Sequence, residues 1–272
     1  MTTGTPIALN RSAYLDAGND QFNLWWQLSF FLLGLFAITG LLWWIDPRQL
    51  DGVSVWTKPL KFELSLIVYA ITMTLLASLL PTIIRNKKTW KWATRFAVSA
   101  AIFEIVYILI QAARGRASHY NESTPVEYMM YALMGVGAVT LVTVSCYLGW
   151  LLYRSHHNDE PRVLKLAAAW GLITGSVLTL ITAGVMSNLP SHFAGTPDVN
   201  AWFVPIMGWS ASGGDLRIPH FFATHLMQFL PLYGLWLQHK SVSLNKARPG
   251  IMFFAVIYSA VVLAWFAAAF LW

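Results

Sequence analysis

Charge is scarce in this sequence. Of 272 residues only 11% are Asp, Glu, Lys or Arg, against about 25% in a soluble domain. Hydrophobic residues make up 57% and aromatics 15%, including 14 Trp. A water-soluble fold of this length could not hide so much apolar surface. A soluble enzyme, a disordered tail and a nucleic-acid-binding domain are excluded, and a polytopic membrane protein is what fits. Cysteine is almost absent too. Cys146 stands alone in an apolar run, so no disulfide forms within one chain and no cysteine-based metal motif exists. It reads as a small buried hydrophobe. HExxH, CxxCH and Walker A sequences are missing. The run 251–272 has no Lys, which excludes a retinal Schiff base there.

Seven apolar runs are long enough for a bilayer, which needs roughly 20 residues. They are Gln21 to Ile45, the stretch after Lys61 to about Ile84 with Glu63 at its mouth, about Trp92 to Ala112, Tyr128 to Tyr153, about Val163 to Asn188, Ile218 to about Leu237, and Ile251 to Trp272. The fold expected is all-α, a single seven-helix transmembrane domain over 21–272 after a polar segment, 1–20. The first run is too long for a signal peptide, lacks a basic leader and is followed by no small-residue cleavage site. Trp25-Trp26 and Trp43-Trp44 lie roughly 28 Å apart along a helix and read as two aromatic belts. The net charge of +6 reports orientation and lipid contact. Counting Lys and Arg by side gives twelve on the side of the N-terminus and six on the other. The N-terminus is therefore expected in the cytoplasm and the C-terminus outside.

The cytoplasmic loops look like ordinary basic anchors, and His156, His157 and His239 in them read as solvated. The outer segments are richer in chemistry. Lys58 and Lys61 share one face at the start of the second helix, with Thr57 as expected N-cap and Pro59 in the first turn. Snorkelling is the bland reading of these lysines, but cations at a helix N-terminus oppose its dipole and invite an anion. Glu104 sits roughly 12 Å inside the outer boundary of the third run, on the face of Gln111. An intramembrane carboxyl is costly and functional by default, with a protonated, hydrogen-bonded Glu as the structural alternative. The segment after it carries Arg114, Arg116 and His119. The segment 188–219 carries His192, Asp198, Asp215 and Arg217, and the sixth run adds His220, His225 and Gln228. His220 and His225 point about 140° apart on a helix, so they do not chelate as an i, i+4 pair would. Gly171 and Gly175 form a GxxxG, best read as close helix contact. Gly208-Trp-Ser210 is only part of a GxSxG.

QAARGRASHYN and GWSASGGDLRIPHFFATHLMQ, with KPLKF and the His192 region, resemble a group of uncharacterised bacterial seven-span membrane proteins. The resemblance covers most of the chain. It implies that architecture and the bacterial inner membrane, and carries no activity.

Three functional readings follow from the residues. In the first, the chain is a membrane enzyme, an oxidoreductase or hydrolase, acting on a lipid-soluble or anionic substrate. A divalent metal ion or haem b would be held by His119, His192, His220 and His225. His119, Asp215 and Glu104 would handle protons. Lys58, Lys61, Gln111, Arg114, Arg217 and Gln228 would hold the substrate or a cofactor's anionic groups. In the second, it is a proton-coupled transporter or ligand sensor using Glu104 and the outer basic groups. In the third, it is a structural subunit of a larger membrane complex. The partners expected are the lipid bilayer and a small-molecule or lipid ligand, with no nucleic acid.

Overall fold

The computed structural model describes residues 20–155, 161–195, 202–204, 207–210 and 213–271. The 1–20 segment except Asp20, together with His156, His157 and Asp198, lies outside them. The described chain is helical: α1 (Asp20–Ile45), α2 (Thr57–Ala77), the short α3 (Thr82–Arg85), α4 (Lys88–Ala113), α5 (Pro125–Ser155), α6 (Arg162–Ser187), α7 (Arg217–His239) and α8 (Leu244–Ala268), closed by one 3-10 turn, Ala269–Leu271. Six of these helices, α1, α2, α4, α5, α6 and α8, are long and apolar enough to cross a membrane. The sixth apolar run of the sequence is helical as α7, but its His and Gln residues and Pro231 leave it outside those six.

The helices follow from apolar spacing. In α4 the buried positions include Trp90, Thr94, Ala97, Ala101, Glu104, Ile108 and Gln111, a stripe at steps of three and four residues. In α6 the same spacing buries Ala168, Gly171, Gly175, Leu178 and Thr182. Most of the long apolar side chains off these stripes are exposed: Trp44, Phe96, Val136, Phe253 and Val256 are all at least 60% accessible. Such an apolar exterior belongs to protein solvated by lipid.

The chain divides into two compact units, 1–144 and 145–272, and the division falls within α5. In unit 1, α2 packs on α1 and α4. A two-stranded hairpin, β1 (Gln49–Leu50) and β2 (Val53–Ser54), joins α1 to α2. Its two-residue turn, Asp51-Gly52, has φ of 52° and 77°, the left-handed pair that a type I′ turn requires and an Asp-Gly sequence supplies. Arg48 ties the hairpin down. Its guanidinium donates to Asp46 Oδ2 at 2.7 Å and to the Ala113 carbonyl at 2.8 Å, placing a cation on an open carbonyl at the end of α4. Trp56 Nε1 also donates to Asp46, at 2.8 Å. The Arg48 guanidinium, with help from Trp56, holds the Asp46 carboxyl well below the usual carboxylate range. Thr57 does not cap α2 as expected from the sequence. Trp56 takes the N-cap position without a side-chain bond, and Thr57 Oγ1 instead accepts from Trp43 Nε1 at 3.1 Å. Of the two Trp pairs of α1, the first departs from expectation at Trp25. Trp43 and Trp44 are exposed, whereas Trp25 is wholly buried against Tyr69.

In unit 2, α6 and α7 form the tightest pair. Added Cβ atoms at Gly171 and Gly175 would stand 2.9 Å from Pro231 Cδ and Met227 Cγ, so the GxxxG is a close helix contact. Gly234 on α7 is closer still: its Cβ would lie 2.2 Å from that of Ala167.

Candidate functional site

Unit 1 gathers Lys58, Glu104 and His119. The spacing of α4 places Glu104 on the buried stripe, where it is 4% exposed. Its carboxyl lies against the backbone of Ala138 on α5. Gly137 makes that approach feasible, since a Cβ there would stand 2.8 Å from Glu104 Oε1. Oε1 itself is buried with no hydrogen-bond partner among the described residues. In a medium without water such an atom costs roughly 1–3 kcal/mol, so its retention asks for a use. The Lys58 ammonium is within electrostatic reach of both the Glu104 carboxyl and the His119 ring. One turn along α2, Phe62 receives that ammonium at 5.9 Å from its ring centre and packs on the His119 ring at 5.3 Å. On its other side His119 meets Tyr131 at 5.8 Å. Ser118 Oγ is 3.2 Å from His119 Nδ1. Burial first, then the Lys58 charge, holds His119 down to about 3. The imidazole is neutral at any ordinary pH.

The other expected residues of this unit are engaged with one another. Arg114 Nη1 donates to Gln111 Oε1 at 2.9 Å, and Arg116 Nη1 to Glu127 Oε1 at 2.8 Å. Gln111 Nε2 donates to Tyr107 Oη and to the Ala117 carbonyl, each at 3.1 Å. Glu127, 3% exposed, also accepts from the hydroxyls of Ser123 and Thr124. It is the anion that these outer arginines meet. Sequence reasoning passed over it, although Thr124-Pro125-x-Glu127 is a capping-box sequence, and Thr124 Oγ1 does accept from the Glu127 backbone at 3.2 Å. Glu63 is a further acid of this unit. It is fully buried on α2, accepts from Thr39 Oγ1 at 2.7 Å, and leaves Oε2 without a partner among the described residues. Its signal was a carboxyl on the same stripe as Leu66, Ile67 and Ala70. Lys61 is half-buried at the start of this helix.

Unit 2 holds His192, His220, His225, Asp215 and Arg217. Asp215 clasps the loop before α7. Its two oxygens accept from the Ser210 and Arg217 backbone N–H groups at 2.9 and 3.1 Å, and from Arg217 Nε and Nη2 at 2.9 and 2.6 Å. Four bonds use the four lone-pair directions of a carboxylate. His192 stacks against Phe193 at 4.4 Å. Thr182 Oγ1 lies 3.0 Å from the Leu178 carbonyl and 2.9 Å from His220 Nδ1. Gln228 Oε1 stands 3.1 Å from His225 Nδ1. Hydrogen on Nδ1 of each ring would satisfy both contacts and leave a lone pair on Nε2.

His119 therefore belongs to unit 1, and the other three expected metal ligands to unit 2. Among the described residues no group of three or more His, Cys, Asp or Glu side chains is placed to hold a metal ion. The four-histidine metal centre expected from the sequence finds no donor set here. Comparison of the chain with family models, curated proteins and solved structures gives no match.

Proposed function

We propose that the chain is a seven-span protein of the bacterial inner membrane, N-terminus in the cytoplasm and C-terminus outside, that couples a proton on Glu104 to the handling of a small anionic ligand. The observation that carries this reading is a buried Glu104 oxygen without a hydrogen-bond partner among the described residues, with the Lys58 ammonium within electrostatic reach of the carboxyl. A carboxyl in a spanning helix takes up and releases a proton at a cost set by its neighbours. A lysine beside it lowers that cost while the carboxyl is charged, and is released toward an arriving anion when the carboxyl is protonated. His119 stays neutral and takes no charge from either partner. Gly137 positions Glu104 by leaving room for its carboxyl. A transporter and a ligand sensor both use this exchange.

The test is proton flux in proteoliposomes with an entrapped pH-sensitive dye, under an imposed pH gradient, with and without external inorganic phosphate. Wild type should dissipate the gradient faster with phosphate, and Glu104→Gln and Lys58→Ala should both lose that acceleration. Equal rates in all three proteins would remove the reading.

A membrane enzyme is the second reading, favoured by one observation. Thr182 and Gln228 stand within hydrogen-bond distance of His220 and His225 Nδ1, and with hydrogen there each Nε2 would be free to accept a proton as a general base does.

A further inference from the structure

The connection from α2 to α4 has no part in that proton site, and its chemistry is of a different kind. Arg85, Lys87, Lys88, Lys91 and Arg95 fall within eleven residues, and no acid occurs between Glu63 and Glu104. Lys87, Lys88 and Arg95 are exposed. Arg85 is 7% exposed, donates through Nη2 to Thr82 Oγ1 at 3.3 Å, and leaves its Nε buried without an acceptor among the described residues. Beside these cations stand large apolar side chains that no described residue covers: Ile83 is 76% exposed, Trp92 54% and Phe96 60%. The Arg95 guanidinium lies over the Trp92 ring at 5.3 Å, and the Trp92 and Phe96 rings pack tilted with centres 5.8 Å apart. Lys87, the N-cap of α4, makes no side-chain capping bond, and the positive end of the helix dipole lies beside these lysines.

We infer that this junction is a binding site for a phospholipid with an anionic, phosphate-bearing headgroup. The headgroup meets Lys87, Lys88 and Lys91 at the uncapped start of α4, and the acyl chains lie along Ile83, Trp92 and Phe96. Charge complementarity selects the anionic headgroup. An exposed indole with a guanidinium held over it selects the interface between headgroup and hydrocarbon. A soluble polyanion would satisfy the lysines but leave the apolar side chains uncovered. The site is independent of Glu104, so either proposal can fail without the other.

The experiment is a titration of the full chain in mild detergent with phosphatidylglycerol or phosphatidylcholine, bound lipid being read by native mass spectrometry. Wild type should bind phosphatidylglycerol more than tenfold tighter than phosphatidylcholine. Each lysine near an anionic surface contributes about fivefold, so Lys87→Gln/Lys88→Gln/Lys91→Gln should weaken phosphatidylglycerol binding by on the order of a hundredfold. A lipid-free melting temperature equal to wild type will show that this variant is folded. Lys240→Gln/Lys246→Gln/Arg248→Gln, which removes as many charges elsewhere, should keep the preference. Equal binding of the two lipids by wild type would overturn the inference. So would a preference that survives in the first variant, or that is lost equally in the second.

Discussion

At the scale of single residues, the N-terminal unit contrasts a group that keeps its charge state with one that is free to change it. His119 is neutral in the fold because burial and Lys58 hold it down to about 3. In the unfolded chain it ionises near 6.5. Between those values the unfolded chain binds a proton that the folded chain refuses. Its contribution to stability is therefore complete above about pH 6.5 and declines as pH falls toward 3. Thermal unfolding in detergent across this window should show that slope in wild type, and His119→Phe, which keeps the ring between Phe62 and Tyr131, should flatten it. Gly137 makes the opposite kind of prediction. The atom an added Cβ would meet is the mobile end of Glu104, so Gly137→Ala should shift the melting temperature little. It should move the carboxyl off its seat, however, and so lose the phosphate-dependent proton flux, as Glu104→Gln does. An alanine protein with full flux would show that the seat is irrelevant. Glu104 was legible in the sequence because a charge in an apolar run is rare and therefore conspicuous, and Lys58 because a cation at a helix N-terminus opposes its dipole. Glu127 was not, because it lies at a helix start, where a glutamate is ordinary. Only its burial and the convergence of Arg116, Gln111, Ser123 and Thr124 on it distinguish it.

At the scale of elements, helix existence was readable almost throughout, because lipid-solvated helices need long apolar runs and the runs are there. The ends were less readable. α4 begins at Lys88 and α8 at Leu244, before the apolar runs they carry, since helices continue through the interface where lysine and arginine stems cover apolar surface. The Asp51-Gly52 hairpin carried a recognisable turn signal, but it is short and polar and was absorbed into a loop. The GxxxG of α6 was read correctly as close contact. Its partner glycine, Gly234, has no sequence pattern of its own, because what demands it is Ala167 on another helix. Gly234→Ala would bring two Cβ atoms to 2.2 Å, which only separation of α6 from α7 relieves. Overpacking of this kind costs about 1–3 kcal/mol. Thermal unfolding should show that loss, and Ala167→Gly in the same chain should restore most of it. A double variant no more stable than Gly234→Ala alone would mean that the strain lies elsewhere.

At the scale of the whole molecule, the open quantity is the number of crossings, and it turns on α7. Average hydropathy sets this helix apart from the other six, yet hydropathy counts each polar side chain as though lipid met it. Within unit 2, His220 meets Thr182 at 2.9 Å, and Thr224 accepts from Thr179 at 3.2 Å. Those groups turn toward α6 and are satisfied there, while Phe229, Leu232, Leu235 and Trp236 are exposed. A polar group paired inside a bundle adds far less to the cost of crossing than one facing hydrocarbon. The face α7 offers to lipid is thus more apolar than its sequence average, which supports the proposed seven crossings. The lone native cysteine makes this measurable by thiol labelling in a Cys146→Ala chain, with single cysteines at Asn86, Glu122, Lys240 or Leu271. If α7 crosses and the N-terminus is cytoplasmic, a membrane-impermeant reagent applied from outside should label Glu122→Cys and Leu271→Cys. Asn86→Cys and Lys240→Cys should react only after the membrane is opened. If α7 lies in one interface, Lys240→Cys and Leu271→Cys should exchange sides while Asn86→Cys and Glu122→Cys do not. Reversal of the latter pair would show the whole bundle inverted, with the proton site of unit 1 facing the cytoplasm.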